Sequence, residues 1–204
     1  MITEPGSDTE VKIKEGAKKV FLDQGYERAT IRMIAKEADV NIALVNYYFR
    51  SKEQLFKSIY QETFAAFFGS IVRLLNEETP LEVKIWKIVD RYTDFLLDNP
   101  MVPLFILSEI RQNGATFFQE MNVREVIRTS SFTRQLQEEI EKGAIRRVHP
   151  FHVIFSLMGN LVFPVMARPI VSYVGGLTEE SFKAFMIERK QIIPEMIMAY
   201  LRKT

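Results

Sequence analysis

Between Ala29 and Leu55 the apolar residues keep helical spacing twice, with one interruption. Ile31, Ile34, Ala35 and Ala38 repeat at intervals of three and four; after Asp39, Val40 and Asn41 the pattern restarts with Ile42, Val45 and Phe49. Two short helices joined by a tight turn and followed by an abruptly starting third have the grammar of a helix-turn-helix. The second of them leaves Ala43, Leu44, Asn46, Tyr47 and Tyr48 off its apolar stripe, free to face something other than the core.

Capping residues mark the boundaries. Ile13, Ala17, Val20 and Phe21 predict a first helix that follows a frayed tail of about nine residues and ends near Gly25. Thr30 is placed to cap the second helix and Asn41 the third, and Ser51 with Gln54 forms a capping box for the fourth. That fourth helix is long, carrying Phe56, Tyr60, Phe64, Phe67, Phe68 and Ile71 toward Asn76.

Thr79-Pro80-Leu81-Glu82 restarts the chain with a capping Thr, a Pro at the first helical position and a Glu at the third. The helix that follows carries Ile85, Ile88, Val89, Tyr92, Phe95 and Leu96, with Trp86 beside that face, and stops at Asp98-Asn99-Pro100. Another runs from about Val102 to Asn113-Gly114, one or two more occupy Ala115 to Lys142, and one opening at Pro150 reaches Gly175-Gly176. A last helix enters at Thr178, where Glu179 and Glu180 suit the positive end of the dipole. Pro164 and Pro194 should kink or locally open the final two. No strand pattern appears, so the expectation is an all-α chain of nine or ten helices, with an N-terminal domain over residues 9–56 and a helical domain over 57–204.

Composition restrains the functional reading. The net charge is +1, and residues 1–60 contain ten Lys or Arg against nine Asp or Glu, so there is no global basic footprint. A basic surface must be local, and Val40 to Lys52 holds Arg50 and Lys52 with no carboxylate. Cysteine is absent, which excludes disulfides and thiol chemistry and fits a cytoplasmic setting. The acidic, polar N-terminus reverses the order of a signal peptide, and no apolar run reaches a membrane span, so no membrane partner is expected.

In a helix-turn-helix the first helix braces the second so that exposed side chains reach a major groove of double-stranded DNA. Asn46 can pair with an adenine edge and Ala43 or Leu44 can meet a thymine methyl. Thr30, Tyr47, Tyr48 and Lys52 carry donors where phosphate contacts are made. Phe21 to Leu55, with Gly25-Tyr26, Ala29-Thr30-Ile31-Arg32, Ile34-Ala35, Ala38, Val40, Tyr48-Phe49 and Ser51-Lys52-Glu53-Gln54-Leu55, resembles the DNA-binding domain of TetR-family repressors. The resemblance implies an all-helical homodimer with three N-terminal helices for DNA, a palindromic operator, and a divergent C-terminal domain for a small-molecule inducer of unknown identity. It also implies phosphate contacts from Thr30 and Lys52, a base or backbone contact from Arg32, and a reading face of Ile42, Ala43, Leu44, Asn46, Tyr47 and Tyr48, beginning at Asn41. Asn46 departs from the family, many members of which have Tyr there.

Beyond Tyr60 the residues offer broader choices. Phe64, Phe68, Trp86, Tyr92, Phe105, Phe117 and Phe155 are candidates to line an inducer pocket, with Glu109 and Asn113 to orient a ligand; plain core packing is the alternative for each aromatic. Phe151, Phe155, Met158, Val162, Phe182, Phe185, Met186, Ile193 and Ile197 supply apolar surface for a dimer interface between the last two helices of each subunit. His149 and His152 are too few ligands for a metal, no phosphate loop or catalytic grouping is visible, and no cofactor is expected. The leading expectation is a ligand-released transcriptional repressor and not an enzyme; the alternatives are a helical carrier or enzyme that retains a helix-turn-helix, and an architectural DNA binder without a ligand.

Overall fold

The computed structural model describes residues 5–202, and within them the regular structure is helical, apart from one isolated antiparallel bridge between Ile145 and Arg202. Twelve helices follow one another among the described residues: α1 (Pro5–Arg28), α2 (Ile31–Glu37), α3 (Ile42–Phe49), α4 (Lys52–Leu75), α5 (Leu81–Asp98), α6 (Val102–Asn113), α7 (Thr116–Glu120), α8 (Val123–Thr129), α9 (Ser131–Glu141), α10 (Pro150–Met166), α11 (Arg168–Gly175) and α12 (Glu179–Leu201). They form two compact units, Met1–Ala66 and Phe67–Thr204.

The first unit is built on the stripes that the sequence repeats. Ile13, Ala17, Val20 and Phe21 of α1 are buried with Ile34, Ala35 and Ala38, with Val45 and Phe49 of α3, and with Leu55, Phe56, Ile59 and Tyr60 of α4. Phe56 sits among rings, edge-on to Phe21 at 5.1 Å and beside Tyr26 at 4.6 Å and Tyr60 at 4.7 Å. α1 and α2 touch so closely at Gly16 that a Cβ there would come within 2.9 Å of the Ala38 backbone nitrogen. Helix α1 begins at Pro5, within the segment expected to be frayed; residues 1–4 of that segment lie outside the described residues. Its regular course breaks at Gly25, where φ is 74°, a conformation that a residue with a Cβ resists.

In the second unit α5 is the central element, with α12, α10 and α9 packed against it. Its faces explain that position, since Leu81, Ile85, Ile88, Val89, Tyr92 and Leu96 are all buried. Phe67 stacks on Phe95 at 3.7 Å between centroids. Lys84 is also enclosed, and its ammonium donates to the Leu75 carbonyl at 3.1 Å, satisfying the last turn of α4.

Several boundaries differ from the sequence expectation. Thr79 is not the cap of α5: Pro80 is the N-cap, its carbonyl accepts from the Lys84 N–H at 2.9 Å, and the Thr79 hydroxyl is buried without a partner. Ala115 to Lys142 holds three helices, because Asn122 turns left-handed (φ 52°) between α7 and α8, and Ser130 caps α9 through its hydroxyl on the Thr133 N–H. The segment expected as one helix from Pro150 is two. It bends by 77° between α10 and α11, where Pro169 in the first turn of α11 has no N–H to continue the ladder. Pro164 and Pro194 lie inside α10 and α12, which continue past them. No single described helix is long and apolar enough to cross a membrane; the bent pair α10 and α11 passes by length and composition only.

Candidate nucleic-acid interface

The corner that presents α3 is held by local hydrogen bonds. The Thr30 hydroxyl accepts from the Met33 N–H at 3.2 Å and opens α2. The chain then leaves α2 through Ala38, whose N–H reaches the Ile34 carbonyl at 2.9 Å, and Asp39 takes a positive φ of 53°. Aspartate tolerates that conformation better than a bulky residue, which explains the break in the apolar pattern at this position. Val40 donates back to the Ala35 carbonyl at 3.0 Å, and Asn41 Oδ1 accepts from the Ala43 N–H at 2.8 Å to open α3. Both expected caps, Thr30 and Asn41, are therefore formed.

Burial in α3 divides as its spacing requires. Val45 and Phe49 face inward; Asn41, Ile42, Ala43, Leu44, Asn46 and Tyr47 are exposed, Tyr47 at 78%, and Tyr48 is half-buried against Tyr47 and Phe49. Thr30 and Arg32 are exposed at the start of α2. Neither α2 nor α3 carries a carboxylate in its first turn, so their exposed N–H groups keep a partial positive charge. The result is a surface of small apolar, amide, hydroxyl and guanidinium groups, the chemical types that meet base edges and phosphates.

The start of α4 differs from what the sequence suggests in two ways. Ser51 Oγ accepts from the Gln54 N–H at 3.1 Å, yet the Ser51 N–H goes to the Phe49 carbonyl, so the capping box lacks its return arm. Lys52 does not extend into solvent. Its ammonium donates to the carbonyls of Tyr26 at 2.8 Å, Ala29 at 3.0 Å and Glu27 at 3.5 Å, and lies over the Tyr26 ring, 4.4 Å from its centre. Burial, with Glu53 and Glu27 adding, pushes the Tyr26 phenol above its ordinary value.

The expected pocket residues occupy different environments. In the second unit Phe105 and Phe117 meet edge-on at 5.6 Å in the core, and the buried Glu109 accepts from Asn113 Nδ2 at 2.9 Å, with Asn113 itself exposed. Tyr92 is enclosed, and burial pushes its phenol up. Trp86 and Phe68 are half-buried, and Phe64, in the first unit, is core. Phe155 is 70% exposed and lines no interior space, because it points away from the stripe of Val153, Leu157 and Leu161 that α10 buries. A cleft of about 260 Å³ is lined by Leu96, Val165 and Phe182 with Arg168, Glu179 and Lys183 around them. Those residues sit at the ends of α5, α10, α11 and α12, and no periodic signal in the chain brings them together.

The expected interface set also divides. Phe151, Phe155 and Met158 are exposed and Val162 and Phe185 half-buried, whereas Phe182, Met186, Ile193 and Ile197 are core. The division has a simple cause: α12 packs that stripe on its own α5 and α10. Its outward side carries Ile187, Ile192, Met196 and Tyr200, and α11 adds Ile170, Tyr173 and Val174. His149 has a structural task, with Nδ1 accepting from the Phe151 N–H at 3.3 Å to cap α10; no cluster of three metal-ligating side chains occurs among the described residues.

Residues 13–59 match the family described as bacterial regulatory proteins, tetR family. The chain is 22% identical over 138 residues to the fatty acid metabolism regulator protein of Bacillus subtilis, covering 67% of this chain and 70% of that one. A TetR transcription regulator from Haloarcula marismortui has the same fold with a TM-score of 0.64, at 22% identity, over 96% of this chain and 100% of that one. The transcriptional regulator FadR from Bacillus subtilis, solved in complex with stearoyl-CoA, gives a TM-score of 0.63 at 17% identity over 94% and 99% of the two chains.

Proposed function

Through residues 13–59 this chain belongs to the tetR family of bacterial regulatory proteins, and from that premise we propose that it is a ligand-released repressor acting as a homodimer on a palindromic operator. The observation that carries the DNA part is α3. A helix with its apolar stripe buried and both its own cap and that of α2 formed holds Ile42, Ala43, Leu44, Asn46 and Tyr47 on the outside. Asn46 is the direct reader, since its amide offers the donor and acceptor that adenine presents in the major groove. Thr30 and Arg32 are the register contacts.

The dimer reading rests on the outward apolar residues of α10, α11 and α12, led by Phe155, Phe163 and Tyr173. Large aromatic side chains exposed in such number along successive helices suit a surface that a second copy covers. For the ligand, the stearoyl-CoA bound by the similar FadR of Bacillus subtilis supports a fatty acyl thioester of coenzyme A, taken up by the second unit near Phe105, Glu109 and Phe117. Entry of an acyl chain would require that packed cluster to open, which couples ligand to conformation. α4 starts in the first unit and ends in the second, so it is the element through which that change reaches the DNA-binding helices.

Selection of bound sequences from random duplex DNA with purified protein tests this reading. The expected result is a palindrome with half-sites about one helical turn apart, bound in a salt-dependent manner and released by stearoyl-CoA. Recovery of unenriched sequence, or of a single non-repeated site, would refute the dimeric repressor.

A further inference from the structure

The Lys52 ammonium has three N–H donors, and the structure assigns all three. They converge on the carbonyls of Tyr26, Glu27 and Ala29, with the Tyr26 ring beneath the charge. These carbonyls lie where α1 ends after its break at Gly25 and before α2 begins, so no following helical turn supplies them with N–H groups. A phosphate oxygen could reach this cation only by displacing a carbonyl that has no other helical partner. The grip ends at Ala29, the residue before Thr30, whose hydroxyl opens α2 and is exposed at the candidate interface.

We propose that Lys52 is a positioning residue for DNA binding: it ties the start of α4 to the Tyr26–Ala29 corner and so places Thr30, and it is not itself a phosphate contact. The inference rests on the DNA-binding reading above. Lysine suits the task because a tetrahedral ammonium can point three donors at three carbonyls around one point. A guanidinium is planar and directs its donors outward as a fork, so Lys52→Arg keeps the charge and loses the convergence.

The test measures affinity against salt concentration for the duplex recovered by selection, with the wild type, K52R, K52M, T30A and the K52M/T30A double variant. Melting by circular dichroism confirms that each is folded at the assay temperature. A phosphate contact contributes about 0.9 to the slope of log affinity against log salt, so its loss is read directly. The expected result is that K52R and K52M each weaken binding about tenfold with the wild-type slope retained, and that the double variant binds about as weakly as K52M alone, because both changes act through one contact. Should K52M not fold, K52R decides, since a charge that served only a phosphate would leave its affinity at the wild-type level. A slope reduced by about 0.9 in K52M, wild-type affinity in K52R, or additive losses in the double variant each overturn the proposal. Wild-type protein without salt-dependent, sequence-preferring binding would refute the DNA-binding reading instead, whatever the variants do.

Discussion

Two surfaces of this molecule expose apolar side chains, and they differ in what accompanies them. On α3, Ile42, Leu44 and Tyr47 are interleaved with Asn41, Asn46 and the nearby Thr30 and Arg32. On α10 and α11, Phe155, Phe163, Met166, Ile170, Tyr173 and Val174 follow one another with little polar relief, Tyr173 at 87% exposure and Phe163 at 66%. A surface that reads DNA needs hydrogen-bonding groups beside its apolar ones, because base edges and phosphates are polar and hydrated. A surface that meets a second protein copy needs dense apolar area at its centre. The same raw property, exposed hydrophobicity, thus points to different partners once the neighbouring side chains are counted.

The largest expected effect separates the two surfaces outright. Phe155→Glu combined with Tyr173→Glu should weaken self-association by about 100-fold or more, seen by sedimentation as a shift to monomer, since central aromatics dominate protein interfaces. The helical spectrum should not change, because neither side chain is buried. On the other surface, Asn46→Ala should leave the sedimentation behaviour intact and relax preference at one base pair by about 1–3 kcal/mol, read by competition among variant duplexes. An unchanged preference would remove Asn46 from the reading face.

Smaller effects probe what supports the surfaces. Asn41→Ala removes the acceptor of the Ala43 N–H and should lower stability by about 1 kcal/mol in urea unfolding, with weaker DNA binding as α3 frays at its first turn. Lys84→Met should change stability by less than about 1 kcal/mol at neutral pH, because a buried cation with one carbonyl partner gains little over an apolar side chain of similar length. Burial holds the Lys84 ammonium below the ordinary lysine range; Glu77 opposes that and Arg134 adds to it. The unfolded chain therefore binds this proton more readily than the folded one. Below the folded-state value the cost is fully present, and it is relieved as pH rises toward the ordinary lysine value. Wild-type stability should accordingly gain on K84M between neutral and alkaline pH, and urea midpoints that run parallel across that range would contradict the assignment.

The first unit is legible in the sequence because its signals are local. Thr30 and Asn41 act on N–H groups two or three residues away, and Val45 and Phe49 repeat at the helical period, so both boundaries and faces can be read from neighbours in the chain. The place of Lys52 is not legible, because its partners lie 23 to 26 positions earlier, and the pattern Ser51-Lys52-Glu53-Gln54 says nothing of that reach. In the second unit the extra breaks have only faint signals, Asn122 and Ser130 for α8 and Pro169 for α11, each set within a run of helix-forming and apolar residues that masks it.

The chain alone determines the all-helical class, the helix-turn-helix and the side of α3 that faces outward, because helix period and capping chemistry operate within a few residues. Which side of α12 is core is decided only by tertiary packing. That helix is apolar on more than one face, and the positions of α5 and α10 select Phe182, Met186, Ile193 and Ile197 for burial and leave Ile187, Ile192, Met196 and Tyr200 outside. The same holds for Lys52 and Lys84, whose charges end on carbonyls that only the folded chain brings within reach.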